Sequence, residues 1–183
     1  MKRMQREAVL LSLIKEMKAK GSWCGETHIQ KATYFLQELL KVPTGFEFML
    51  YKHGPFSFDL SDEITAMRAD ALLQYQPRIP YGPSLFPTKE SQEFLEQFPK
   101  TLRNYAKGIQ FIAEKIGTLG VADLERLATA LYVTLNPDGM EKSREFRITE
   151  LKPHIKVDEA RSAVKNVDDI KRDAISKGLA SNS

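Results

Sequence analysis

A mainly α-helical protein with a small antiparallel β-sheet is the fold class that this sequence predicts. Apolar side chains recur at steps of three and four over most of the chain, as on the buried face of a helix. Alternation with period two is confined to short stretches, and proline and glycine punctuate the joins between the two patterns. The order of elements is the most informative feature. Helix, helix, strand, helix, strand, loop, strand is the order of a winged helix-turn-helix. The expected organisation is therefore a winged-helix-like module over residues 1–98, a helical region over 99–177 packed on it, and a frayed tail at 178–183.

Residues 4–20 place Val9, Leu10, Leu13, Ile14 and Met17 on one helical face, and Gly21 ends the helix behind Lys18 and Lys20. Trp23, the only tryptophan, reads as a packing anchor between this helix and the next. A second helix runs from Glu26 to Leu40 and is stopped by Pro43. Phe46, Phe48 and Leu50 then alternate with Glu47, Met49 and Tyr51, as in a strand, and His53-Gly54-Pro55 is a sharp turn. Ser57 is placed to cap a third helix reaching Ala71.

Strands follow at 72–75 and 84–87, with the proline-stiffened loop at 77–83 as the wing. Thr88 is placed to cap a helix to Phe98. Further helices are expected at 101–117, 121–135 and 141–151, with a turn at Asn136-Pro137-Asp138-Gly139. A last helix is expected to start at a capping Asp158 and to carry Ala160, Val164, Val167 and Ile170 as its stripe. If that stripe or the one at 121–135 were exposed, it would suggest a homodimer surface.

A chain of 183 residues, 42% hydrophobic and 28% charged, is long enough to bury a core without crosslinks. One cysteine permits neither an internal disulfide nor a cysteine-rich zinc site, and suits a reducing compartment. The longest apolar run, Ala8 to Ile14 broken by Ser12, is too short to span a bilayer, and no signal peptide is read after the basic start. The expected location is cytoplasmic. A net charge of +3 does not by itself argue for nucleic acid.

Little in the sequence suggests catalysis. His28, His53 and His154 lie far apart, with no metal-ligand partner at helical spacing, and read as surface or turn residues. His53 is singled out by its place in the tightest turn. Cys24 stands near a helix start, where a thiol becomes reactive, although a small buried residue is the plainer reading. There is no glycine-rich phosphate loop, and Asp62-Glu63 and Asp168-Asp169 look like solvated faces. No catalytic residue, cofactor or metal is expected.

Charge bears on the DNA question. In a winged helix the third helix usually enters the major groove. Here it carries Asp59, Asp62, Glu63 and Asp70 against Arg68, four negative charges to one positive, and the wing adds only Arg78. Phosphates would be repelled by that face. A protein partner is the expected reading, unless some of the acids are paired internally with Lys31 or Lys52. Basic residues do gather at the start of the chain (Lys2, Arg3, Arg6, Lys15, Lys18, Lys20), most simply as the solvated face of the first helix.

The run Ile29-Gln30-Lys31-Ala32-Thr33-Tyr34-Phe35-Leu36, followed by Phe46-Glu47-Phe48-Met49-Leu50-Tyr51-Lys52-His53-Gly54-Pro55-Phe56-Ser57, resembles the signature of YwgA-like proteins. More distantly it is similar to the Panacea domain of SocA-type antitoxins. In both, a QK-x-x-Y-F helix precedes an aromatic strand ending in Y-x-x-G-P. The likeness is best over 25–75, and Leu151-Lys152-Pro153-His154 fits it loosely. It implies a bacterial or archaeal cytoplasmic protein in a toxin–antitoxin or similar regulatory setting, where SocA-type members deliver a toxin to a protease. The long helical C-terminal third departs from the Panacea pattern.

Read physically, the motif is a folding device. Tyr34 and Phe35 pack on the strand, Gly54 permits a backbone conformation other residues resist, Pro55 fixes φ, and Lys31 and Tyr51 are placed to hold the turn by hydrogen bonds. The expected function is a non-catalytic regulatory protein-interaction module, adaptor- or antitoxin-like, whose partner is a toxin or other regulatory protein. Its expected surface is His53, Ser57, Asp59, Asp62, Glu63, Arg68 and Arg78. A DNA-binding regulator acting as a homodimer is the alternative, and an enzyme of unrecognised type the third reading.

Overall fold

The first helix, α1 (Arg3–Ala19), forms the axis of the fold. Ala8 to Leu11, Leu13, Ile14 and Met17 are all fully buried, so the helix is covered on nearly every side rather than along one stripe. It closes with Gly21 at φ +86, where Ser22 N donates to Met17 O (3.0 Å) and Gly21 N to Lys18 O (2.9 Å). The structure is a computed structural model that describes residues 1–77, 82–137 and 143–181.

α2 (Glu26–Tyr34) runs on into a π-helical turn, Phe35–Leu39, where Leu40 N reaches back to Phe35 O at 3.4 Å. The expected single helix to Leu40 thus changes winding halfway. The side chain of Gln37, inside that turn, then binds Phe46 through both main-chain groups (2.9 Å each). Phe46 to Phe48 join no sheet, and the strand expected from Phe46 is only β1 (Met49–Tyr51).

β1 pairs antiparallel with β2 (Gly54–Phe56), Tyr51 opposite Gly54. The Gly-Pro segment expected as a bare turn is thus a strand of a tight hairpin. α3 (Phe58–Ala69) follows, with Leu60 N donating to the Ser57 hydroxyl at 3.3 Å as expected for a cap. β3 (Leu73–Gln76) pairs with β4 (Ser84–Pro87) in a second, separate hairpin, so the small sheet is two two-stranded sheets. Residues 78–81 of the expected wing, Arg78 among them, lie outside the described residues.

α4 (Glu90–Glu96), α5 (Pro99–Ile116), α6 (Val121–Leu135), α7 (Arg144–Leu151) and α8 (Val157–Ser176) complete the chain. Asp138 and Gly139 of the expected turn are outside the described residues. The Thr88 hydroxyl accepts from Ser91 N at the start of α4. At α8, Lys156 is the N-cap residue rather than Asp158, and the Glu159 carboxylate accepts from Lys156 N at 3.0 Å. Gly178, expected in a frayed tail, closes α8 at φ +66, and Leu179 and Ala180 pack on the core.

α5 packs along α1, and α6 packs on α2 and β2, so one hydrophobic core runs through residues on both sides of position 98. Ala160, Val164, Val167 and Ile170 of α8 are covered within the chain, as are Leu124, Leu127, Ala128 and Leu131 of α6. Neither stripe is left for a second copy.

Arg144 ties three helices together. It binds the Asp168 carboxylate through two bonds (2.8 and 2.7 Å) and reaches Thr134 Oγ1 at 3.1 Å. Asp168, read as part of a solvated acid pair, is thus engaged, and the Arg144 guanidinium holds its carboxyl below the usual carboxylate range. A carboxyl depressed in the folded state stabilises at neutral pH and loses that contribution as pH falls through the folded value. Asp168→Asn is expected to be less stable at pH 7 by about 1 kcal/mol or less, as for a part-exposed pair. In urea titrations the gap to the parent should close below about pH 4.

Candidate functional site

Two consecutive polar residues in the middle of α2 are buried, which needs explaining. Gln30 and Lys31 are 0% and 1% exposed. Groups of this kind are stable inside only when fully hydrogen-bonded. Both reach the outgoing side of the hairpin, Lys31 within β2 and Gln30 at the residue just past it. Gln30 donates to Ser57 O (2.8 Å) and accepts from Ser57 N (2.9 Å), a strand-like pairing made by a side chain. Lys31 Nζ donates to Pro55 O at 2.9 Å.

The other strand is held from the opposite side. Lys152, buried just past α7, donates to the carbonyls of Tyr51 and Lys52, the latter at 2.7 Å. Tyr51 therefore contributes to the turn through its backbone, not its hydroxyl. Gly54 sits at φ +80 against α6; a Cβ there would lie 3.1 Å from Thr129 Oγ1 and 3.3 Å from Glu125 O. Tyr34, 2% exposed, meets Phe48 edge-on at 5.0 Å, and Phe35 is fully buried.

Glu125 on α6 is the centre of the polar side of this contact. Its carboxylate is buried, and His53 Nδ1 lies 3.2 Å from one oxygen while His154 Nε2 lies 3.0 Å from the other. Lys152 Nζ stands 4.0 Å away. The chain brings together two histidines about a hundred positions apart in sequence, a juxtaposition no spacing rule could reveal. Among the described residues no cluster of histidine, cysteine and acidic side chains has the geometry to hold a metal ion.

Exposed beside this anchored hairpin is an apolar face. Met49, Tyr51 and Phe58 are 52%, 53% and 51% exposed. The rings of Tyr51, Phe56 and Phe58 form a triangle with centroids 5.1–5.8 Å apart, so each is positioned by the other two. Asp59 and Asp62 are exposed on α3 next to Phe58. Phe58 is not among the residues expected at the surface; its signal is a bulky aromatic at the first position of a helix, directly after the capping Ser57.

The expected surface divides. His53, Asp59 and Asp62 are exposed, while the Arg68 guanidinium lies 3.6 Å over the Tyr75 ring. Ser57 is fully buried in the Gln30 clamp and is no part of any surface. Glu63 is 8% exposed, bound by Arg3 (3.2 Å) and Arg6 (2.5 Å) of α1, and Asp70 is bound by Arg3 (3.2 Å). The partners of these acids are thus arginines of α1, not Lys31 or Lys52; Arg6 is half-buried in that contact, while Arg3 stays exposed as the solvated-face reading expects.

The remaining candidates also resolve. Cys24 is fully buried at φ 49, its thiol faces Ile14 O, and burial pushes it up, away from thiolate character. His53, at Glu125, takes no part in that environment. His28, read as a surface or turn residue, is buried. Trp23 is half-buried and donates from Nε1 to Gly82 O at 3.3 Å, so it packs on the second hairpin as well as beside the helices.

Two outcomes follow from the clamp. Gly54→Ala is expected to lose at least about 1–2 kcal/mol, the cost of a left-handed backbone with a Cβ, measured by chemical denaturation. Burial draws the Lys31 ammonium down to about 8. A free lysine keeps its proton to about 10.4, so between those values the unfolded chain binds a proton that the folded chain does not. Stability relative to Lys31→Met is therefore expected to rise with pH across that window. Compared with protein-family models and with curated proteins, the chain matches none.

Proposed function

We propose that this protein is a non-catalytic protein-interaction module, adaptor- or antitoxin-like in role, that docks a partner protein on the aromatic face of the β1–β2 hairpin and the first turn of α3. The observation that carries this reading is the joint exposure of Met49, Tyr51 and Phe58 on a hairpin whose backbone is clamped from within. Clustered exposed aromatic rings beside polar groups are the composition of interface hot spots. A pre-ordered patch also loses little conformational freedom on binding. Asp59 and Asp62 beside the patch favour a partner segment that pairs an apolar anchor with lysine or arginine.

The winged-helix-like description of residues 1–98 belongs to the same proposal. The order α1, α2, first hairpin, α3, second hairpin supports it, with β3–β4 in the place of the wing. The resemblance to YwgA-like and Panacea proteins supports a regulatory partner such as a toxin, and a cytoplasmic setting. Among the described residues no helix is long and apolar enough to cross a membrane. The DNA reading is disfavoured by charge, since Asp59 and Asp62 remain exposed on α3 while Arg3 and Arg6 are engaged by its other acids.

The test is capture of partners from native lysate on the full chain, with and without nuclease. The expected result is a stoichiometric protein that survives nuclease. A Tyr51→Ser, Phe58→Ser double variant is expected to keep the parent's unfolding midpoint and to weaken that complex by roughly 30-fold or more, as for a lost hot spot. Recovery of DNA, with proteins lost on nuclease treatment, would overturn the reading, and so would a double variant that binds unchanged.

A further inference from the structure

The β1–β2 hairpin has two edges, and α2 covers one of them. Lys31 takes the C=O of Pro55 in β2, and Gln30 takes both main-chain groups of Ser57 just past it. The outer side of β1 is different. β1 packs against β2 and against no other helix or strand to a comparable extent.

The register shows which groups lie along that open side. Leu50 stands opposite Pro55, which has no N–H and turns its C=O to Lys31. In an antiparallel pair, opposed residues alternate between those that exchange hydrogen bonds and those that do not. Leu50 and Pro55 are a pair of the second kind, so the N–H and C=O of Leu50 point away from β2. Neither group has a hydrogen-bond partner among the described residues. The flanks of this edge are occupied: Gln37 binds both main-chain groups of Phe46, and Lys152 binds the carbonyls of Tyr51 and Lys52.

Natural sheets discourage pairing at an open edge with a lysine, a proline or a bulge in the strand. β1 is Met49-Leu50-Tyr51 and carries neither lysine nor proline. Met49 and Tyr51 are exposed on one face and Leu50 is half-buried. Charge is uneven along this edge. A cleft of about 390 Å³ opens between Gly45-Phe46, which lead into β1, and α3. Asp59, Asp62 and Glu63 line it against one base, Arg6, which Glu63 already binds. Glu47, between the cleft and β1 in sequence, is exposed as well. A basic side chain is therefore attracted to the end where β1 begins.

We propose, on the reading that this face docks a partner, that the partner contributes an extended segment which adds to β1 as a third strand and exchanges hydrogen bonds with the Leu50 N–H and C=O. Alternate side chains of that segment lie beside Met49 and Tyr51 and are apolar, and a lysine or arginine among the others reaches the acidic cleft. In strand addition the main-chain bonds supply affinity and the alternating side chains supply selectivity.

The probe is a nine-residue peptide, blocked at both ends, that alternates valine with arginine. Amide hydrogen exchange of the full chain, followed by NMR, reads Leu50 directly. In the free protein its amide is expected to exchange at least ~10-fold faster than that of Met49, which faces β2. The peptide is expected to bind with a dissociation constant at or below ~1 mM and, at saturation, to slow Leu50 exchange at least ~10-fold. Leu50→Pro removes an N–H that makes no bond to β2, where a strand tolerates proline, and is expected to weaken the peptide at least ~10-fold with the hairpin still paired. Methylating the peptide nitrogens, either at every valine or at every arginine, asks the same of the unaltered protein: one pattern is expected to abolish binding and the other to preserve it. A peptide with glutamate for arginine is expected to bind at least ~10-fold more weakly.

A Leu50 amide already protected in the free protein would overturn the proposal. So would failure of the peptide to bind, binding that leaves Leu50 exchange unchanged, or indifference to both methylation patterns. Equal binding of the glutamate peptide would overturn the basic character assigned to the partner. Protection of Leu50 that grows with protein concentration alone would assign the edge to a second copy of the chain. None of these outcomes touches the docking reading itself, which the Tyr51→Ser, Phe58→Ser variant tests separately.

Discussion

Everything displayed on the β1–β2 hairpin depends on buried side chains that hydrogen-bond its backbone. Strands of three residues are too short to persist alone in water. Here Gln30 and Lys31 take the carbonyls and N–H of the outgoing strand, and Lys152 takes the carbonyls at the turn. These side chains do for the hairpin what neighbouring strands would do in a larger sheet. Gly54 completes the arrangement by letting the turn lie directly on α6. The rings of Tyr51, Phe56 and Phe58 are thereby carried on a rigid base, although all three meet at the edge of the protein.

Charge placement follows a similar economy. α3 has more acids than bases, but its acids fall into two sets. Glu63, buried, meets Arg3 and Arg6 of α1, and Asp70 meets Arg3 in an exposed pair at the end of α3. Asp59 and Asp62 face water. Counting charges along α3 therefore overstates the field it presents outside, because half of its acids are already balanced across a helix contact. The Arg6 guanidinium also lies 4.8 Å over the Phe46 ring, so the same contact extends to the segment that leads into the hairpin.

Much of this was legible in the sequence, for local reasons. Helical periodicity located α5, α6 and α8 to within a few residues, because an apolar stripe at steps of three and four has one buried solution. The Gln30-Lys31 and Gly54-Pro55 motif was readable as a folding device, and Lys31 does hold the turn. Three things were not legible. The π-helical turn at Phe35–Leu39, with Gln37 inside it bound to Phe46, is not encoded in the apolar periodicity. The burial of Ser57 and Glu63 depends on partners 27 and 57 positions away. The gathering of His53 and His154 on Glu125 is wholly tertiary, since no two of the three are neighbours in sequence.

The Lys152 bond to the hairpin spans 100 residues of chain. Contacts of such separation form late, since a long loop must close before they are made. During synthesis the segment 49–58 emerges well before Lys152 and Glu125 do. Until then the hairpin has only the α2 half of its support. The aromatic triangle is therefore completed only when the C-terminal half of the chain has closed on it, so that the order of folding sets when this face takes its final form.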